Sequence, residues 1–189
     1  MNDDPVIGFE SAEAWTQWLE ENHAEVPGVW VKLAKKGSRH TTVSYEDAVK
    51  VALCFGWIDG QKRKLDDDYS IQRFTPRRRR SPWSRINRDR AEALIAQGLM
   101  RPAGLAEIER AKADGRWDAA YEPPSTATVP DDFQAALDQH PDAQAFFEQL
   151  NKTNRFAMIY RITTAKKPET RQKRIAQFIA MLKAGEKLY

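Results

Sequence analysis

The chain has a single cysteine, Cys54, among 189 residues. This excludes an internal disulfide framework and fits a reducing compartment. Histidine is nearly as scarce, and His23, His40 and His140 are scattered, so no histidine-rich metal site is expected. No apolar run approaches the ~20 residues that span a bilayer, so no membrane insertion is expected. The opening MNDDPVIGFESAEAW has no basic stretch followed by an apolar one. A secretory signal is therefore not expected, and the expected location is the cytoplasm. There is no Walker loop, dinucleotide fingerprint or zinc pattern, and Ser81 and Ser84 lie outside any G-x-S-x-G context. No cofactor is expected and no catalytic motif is recognised.

What is present is the composition of a folded domain, 41% hydrophobic and 30% charged, and enough length for one domain or two small ones. The formal net charge of +3 hides strong segregation. Residues 1–30 carry seven acids and no bases; residues 76–90 carry seven arginines against Asp89; residues 91–150 carry eleven acids against four bases; residues 151–189 carry ten bases against two acids. Blocks of this kind suit an anionic partner or pairing among themselves, and both readings stand open.

Hydrophobic spacing places a short strand ending near Phe9 and a helix from Ser11 to about Asn22. VWVKLAKKG (29–37) alternates Val29, Val31 and Leu33 against Trp30 and Lys32, a strand pattern. Ser44 with Asp47 resembles a capping box opening a helix that Gly56 stops. WIDGQKRKL (57–65) and YSIQRFTP (69–76) flank an Asp66-Asp67-Asp68 turn as an antiparallel hairpin, with a bulge or early end expected in the second strand. Asn87 and Pro102 open two further helices. EPPSTATVP (122–130) is the one linker-like stretch. Beyond it, Asp131, Pro141, Thr153 and Pro168 mark helix starts. The expectation is an α+β fold: a small antiparallel sheet with flanking helices over 1–121, a linker over 122–130, and an all-helical subdomain over 131–189.

Several ordered strings carry a family resemblance: LAKKG, CFGWIDGQKRKLDDD, QRFTPRRRRSPWSRINRDRAEALI, MRPAGL, AKADGRWDAAY and NRFAMIYRITTAKKPETRQKRI. From about Trp30 to Gly185 the chain resembles the bacteriocin-protection, YdeI/OmpD-associated (OmdA-like) family. The resemblance implies an α+β N-terminal part and a helical C-terminal part. It also implies a role in protection against bacteriocins or antimicrobial peptides, and association with an outer-membrane porin. It implies no settled reaction and no catalytic residues.

Three segments are candidate sites. The first is Arg77-Arg78-Arg79-Arg80 with Trp83, Ser84 and Asn87. Guanidinium forks match phosphate and carboxylate oxygens, Trp83 offers a stacking face, and Ser84, Asn87 and a helix start offer neutral donors. Extended neighbours point to opposite sides, so Arg77 with Arg79, or Arg78 with Arg80, would act together. The alternative is a solvated loop paired with acidic helices. The second is Trp57-Ile58-Asp59-Gly60, where Asp59 is a candidate general base and Gly60 allows close approach. The alternative is an ion pair between Asp59 and Arg73, with Trp57 in the core. The third is Lys166, Lys167 and Arg171 around a helix start, with solvated lysines as the alternative. Asp66-Asp67-Asp68 departs from EF-hand spacing and reads as a turn, and Cys54 reads as a buried, inert thiol. The partner expected first is an anionic small molecule. Nucleic acid ranks lower, because no base-reading motif is present. A protein partner, or an enzyme using Asp59 with the arginines holding an anionic substrate, is the alternative.

Overall fold

The computed structural model describes residues 4–189, and the chain divides into two compact units, Met1–Ala120 and Tyr121–Tyr189. The first unit is α+β. Its elements are β1 (Val6–Gly8), α1 (Ala12–Asn22), β2 (Val29–Ala34), α2 (Tyr45–Cys54), β3 (Trp57–Lys64), β4 (Tyr69–Pro76), α3 (Arg85–Ala96) and α4 (Pro102–Ala113). The four strands form one sheet in the order β1-β2-β4-β3. The hairpin β3–β4 and the pair β2–β4 are antiparallel, as expected, but β1 runs parallel to β2. The sheet is therefore mixed. The helix α1 separates β1 from β2, and a crossover of this kind is what returns a chain to a parallel neighbour.

Alternation sorts the two faces of the sheet. Val29 pairs with Phe74, Val31 with Gln72 and Leu33 with Ser70, whereas Trp30 pairs with Arg73 and Lys32 with Ile71. The first set faces one core cluster that also takes Trp15 and Leu19 from α1, Ala48 and Ala52 from α2, Leu94 from α3 and Ile108 from α4. Trp15 and Trp18 stack at 5.4 Å, and each meets Trp57 edge-on. Two of the buried indoles have their N–H groups satisfied: Trp15 donates to Ala48 O and Trp57 to His23 O. Ser11 and Ser44 cap α1 and α2 as their spacing predicts.

The hairpin irregularity lies in β3, not in the second strand. Asp59 pairs with Phe74 and Lys62 with Gln72, which inserts one extra residue on β3 at Gly60–Gln61. The buried Gln72 amide donates to Gly60 O at 2.8 Å and satisfies the carbonyl that the bulge takes out of the ladder. At Gly104 on α4 a Cβ would lie 2.3 Å from Cys54 O, so the absent side chain is what lets α4 close on the end of α2.

The second unit is helical: α5 (Asp131–Asp138), α6 (Pro141–Gln149), α7 (Lys152–Thr163) and α8 (Pro168–Lys183). Phe133, Leu137, Phe147, Met158, Ile162, Phe178 and Leu182 form its core. Ala127 and Val129, from the proline-rich stretch, pack on this core. The buried Asn154 side chain accepts from Leu188 N and Tyr189 N and donates to Tyr189 O, tying the tail to α7.

Candidate functional site

The four arginines do not act as one cluster. Arg77 is 6% exposed, and its guanidinium lies 3.7 Å from the centre of the Trp83 ring. Its Nη1 donates to Pro82 O at 3.3 Å, and its backbone N–H bonds Gly56 O. Trp83 is only 2% exposed, packed edge-on against Trp117 at 4.8 Å. The expectation of an open stacking face at Trp83 is thus corrected: Arg77 and Trp117 cover the ring. Arg116 closes the loop from the other side by donating to Ser81 O at 2.8 Å. Arg78, Arg79 and Arg80 are exposed, in a turn closed by Ser81 N–H to Arg78 O and Arg78 N–H to Ser81 Oγ.

Ser84, rather than Asn87, caps α3: its hydroxyl accepts from Asn87 N, and the helix begins three residues earlier than the sequence pattern suggests. Ser84 is therefore occupied as a cap. The Asn87 side chain accepts from Arg90 at 3.4 Å.

Asp59 and Arg73 lie on opposite faces of the sheet, since their cross-strand partners are Phe74 and Trp30. The ion pair between them is not formed. The Asp59 carboxylate accepts from the Tyr45 hydroxyl of α2 at 2.7 Å, and Arg73 pairs with Asp4 at 2.6 Å. Burial pushes the Tyr45 phenol well above its usual value, and the hydrogen bond to Asp59 adds to this. Trp57 is fully buried and belongs to the core, where no ligand reaches it.

The face of the sheet turned away from the helices carries an open groove of about 670 Å³. Trp30 and Ile71 lie in it, buried but outside the main core cluster. The Arg63 guanidinium lies 4.6 Å from the centre of the Trp30 ring. Arg73 and Arg78 also line the groove, with Asp4, Gly60, Thr75 and Ser81, and Asp59 borders it beside the bulge although its carboxylate is bonded to Tyr45 of α2. Three guanidinium groups from β3, β4 and the loop after β4 thus border one concavity with an aromatic and aliphatic floor. Of these, sequence reasoning singled out Arg73, Arg78 and Asp59 but missed Arg63, Trp30 and Asp4. The alternation of β2 already separated Trp30 from Val29, Val31 and Leu33, so the signal for a large apolar residue on the second face was there. What brings Arg63 and Asp4 to it is strand pairing.

In the second unit, Arg171 makes a fork to Asp132, with Nε–Oδ2 at 2.5 Å and Nη2–Oδ1 at 2.7 Å, and donates to Ile162 O. Those hydrogen bonds hold the Asp132 carboxyl below its usual range. Lys166 and Lys167 are exposed ahead of α8. Lys166, Lys167 and Arg171 belong to a different unit from the arginine loop.

Cys54 is buried, and burial raises its thiol pKa. Asp66 accepts from Asp68 N and Tyr69 N, and Asp67 pairs with Lys64, which is the wiring of a turn. Among the described residues, no group of three or more His, Cys, Asp or Glu is placed to hold a metal ion, and no helix is long and apolar enough to cross a membrane.

Fold and site together define a protein with an α+β unit carrying an arginine-lined groove and a helical unit behind it in sequence. A family model described as a domain of unknown function (DUF8412) matches residues 7–107, more than half of the chain, and the chain belongs to that family. Residues 126–185 match the model described as Bacteriocin-protection, YdeI or OmpD-Associated, so the helical unit carries the domain the resemblance pointed to. That match covers a shorter stretch than the one from Trp30 to Gly185 read in the sequence: the motifs from LAKKG to MRPAGL fall under the first model, and AKADGRWDAAY lies between the two. No curated protein and no solved structure matches the chain.

Proposed function

We propose that the protein binds an anionic small molecule in the groove on the open face of the first unit's sheet. The observation that carries this reading is the meeting of Arg63, Arg73 and Arg78 around the buried Trp30 and Ile71 in one concavity. Asp4 already neutralises Arg73, so Arg63 and Arg78 supply the forks for phosphate or carboxylate oxygens, and Arg73 is a fixed wall. Arg79 and Arg80, exposed beside Arg78, add positive potential at the rim and steer anions inward. The apolar floor supports a ligand with an organic body as well as a charged end. A catalytic use of Asp59 has less support, because its carboxylate is engaged by Tyr45 on the helix side of the sheet. We place this binding role in resistance to bacteriocins or antimicrobial peptides, the role named by the description of the helical unit's family.

The test is ligand-induced thermal stabilisation of the intact chain by pyrophosphate and by citrate. At a ligand concentration of 100 times Kd the expected gain is about 2.7 kcal/mol. It falls with added salt and vanishes in the double variant Arg63→Ala/Arg78→Ala. Equal stabilisation of the double variant and the wild type removes the groove from the argument. The protective role is tested by challenging bacteria that express either form with an antimicrobial peptide; equal survival with and without the protein overturns it.

A further inference from the structure

Arg63 and Arg78 enter the sheet groove from different ends. Arg63 stands opposite Ile71, and the ladder runs on past Pro76 to Arg77, whose N–H bonds Gly56 O. Ile71 to Arg77 is six residues, which is about 20 Å at ~3.3 Å per residue of strand. Arg78 follows directly, yet it lines the same groove as Arg63. Arg63 donates one bond to Gln61 Oε1 and lies over Trp30, and its guanidinium has further N–H groups to give. The Arg78 side chain is exposed.

What lies between them is neutral and fixed. Arg73 stands on β4 between Ile71 and Arg77, and its Nε and Nη2 both lie 2.6 Å from Asp4 Oδ2. The Asp4 side chain is only 6% exposed. The pair packs on Gly28, where a Cβ would come within 2.8 Å of Asp4 Oδ2 and 3.2 Å of Arg73 Nη2. Across from Arg73, Gly60 of β3 has no side chain, and a Cβ there would stand 4.0 Å from Arg73 Cβ. Ile58 and Thr75, which also line the groove, pair across the strands next to this level. The middle of the groove therefore offers room and aliphatic surface, and its one cation is already matched.

We infer that the ligand is an elongated dianion, two carboxylate or phosphate groups held apart by an uncharged organic spacer, with one end on Arg63 and the other on Arg78; this rests on the groove being the binding site.

A compact anion reaches one of these forks. A chain charged along its whole length, such as polyphosphate, sets negative charge against Asp4. A molecule charged only at its ends uses both forks and leaves the Asp4–Arg73 pair intact. Once the first end is bound the second contact is intramolecular, so it adds affinity only when the spacer spans the gap.

The test is ligand-induced thermal stabilisation of the intact chain, at matched ionic strength, by succinate, adipate, suberate and sebacate. Octanoate serves as the single-headed control and pyrophosphate as the compact one. Affinity is expected to climb with spacer length, by at least about tenfold from succinate to sebacate, and suberate is expected to exceed octanoate. In Arg78→Ala and in Arg63→Ala the climb disappears and suberate falls to the level of octanoate. Should Arg63→Ala fail to fold, Arg78→Ala at its exposed position decides alone. A climb that survives the loss of either arginine reports spacer hydrophobicity and overturns the inference. Affinity independent of length, or pyrophosphate binding more tightly than sebacate, also overturns it while leaving the groove as a site for a compact anion. Absence of stabilisation by every anion removes the groove itself and the inference with it.

Discussion

Replacing Arg77 by alanine separates the architectural arginine from the three exposed ones. The Arg77 guanidinium is buried against the Trp83 ring at 3.7 Å and donates to Pro82 O. A desolvated cation–π contact of this kind contributes ~2 kcal/mol, and a hydrogen bond from a charged donor ~1.5 kcal/mol. Removing a buried charge returns part of that, because its desolvation penalty also disappears. The net loss expected is about 2–3 kcal/mol. A unit of this size loses roughly 4 °C of Tm per kcal/mol, so the transition should fall by about 8–12 °C. Arg78→Ala, at an exposed position, should stay within about 0.5 kcal/mol of the wild type. The assay is thermal unfolding followed by tryptophan emission. All six tryptophans, at positions 15, 18, 30, 57, 83 and 117, lie in the first unit, so this signal reports that unit alone. Equal transitions for the two variants would refute the assignment of Arg77 to the interior.

Gly104→Ala should lower the same transition, because the new Cβ meets the Cys54 carbonyl at 2.3 Å. Overpacking of ~1–3 kcal/mol outweighs the ~1 kcal/mol that alanine gains in a helix, and an unchanged midpoint counts against close contact of α2 and α4. Tyr45→Phe tests the phenol that burial and Asp59 hold protonated. A raised folded pKa makes its stabilisation intact below about pH 10 and lost as pH climbs towards the folded value, so stability measured from pH 8.5 to 11 should decline less in the variant. Asp132→Asn acts at the other end of the scale. The folded carboxyl titrates low, so its stabilisation is present above about pH 4 and lost as pH falls below it. With Asp132 nearly half exposed, the effect should stay under ~1 kcal/mol, read as helical circular dichroism of the intact chain, and the variant should show a flatter acid limb.

Elements whose signals are local were legible in the sequence. Ser11 and Ser44 announce their helices through cap spacing, and each helix of the second unit starts within about a residue of its Asp, Pro or Thr marker. Ser84 and Asn87 show the limit: both cap well, and only the fold decides that Ser84 takes the role and Asn87 stands at the third helical position. The parallel docking of β1 was not legible either, since three residues carry too little pattern to choose a partner strand. The site was half legible. The basic loop and the Trp30 alternation are local facts, while the Asp4–Arg73 pair joins residues 69 positions apart and the Trp83–Trp117 contact has no local signature.

This division bears on how any arginine run of this kind is dissected. Strand alternation leaves two pairs open, Arg77 with Arg79 or Arg78 with Arg80, and joint replacement of the first pair is expected on that reading to abolish ligand binding. That result would be uninformative, because the loss of Arg77 alone takes away the contact that holds Trp83 under the loop. Burial, not sequence position, divides the run. Arg77 organises the loop from within, and Arg78 reaches the groove where Arg63 already lies over Trp30. The pair that tests function is therefore Arg63 with Arg78. They are 15 positions apart, contribute little to the core, and line one groove, Arg63 from its place opposite Ile71 near the hairpin turn and Arg78 from the loop that follows β4 at the hairpin's open end.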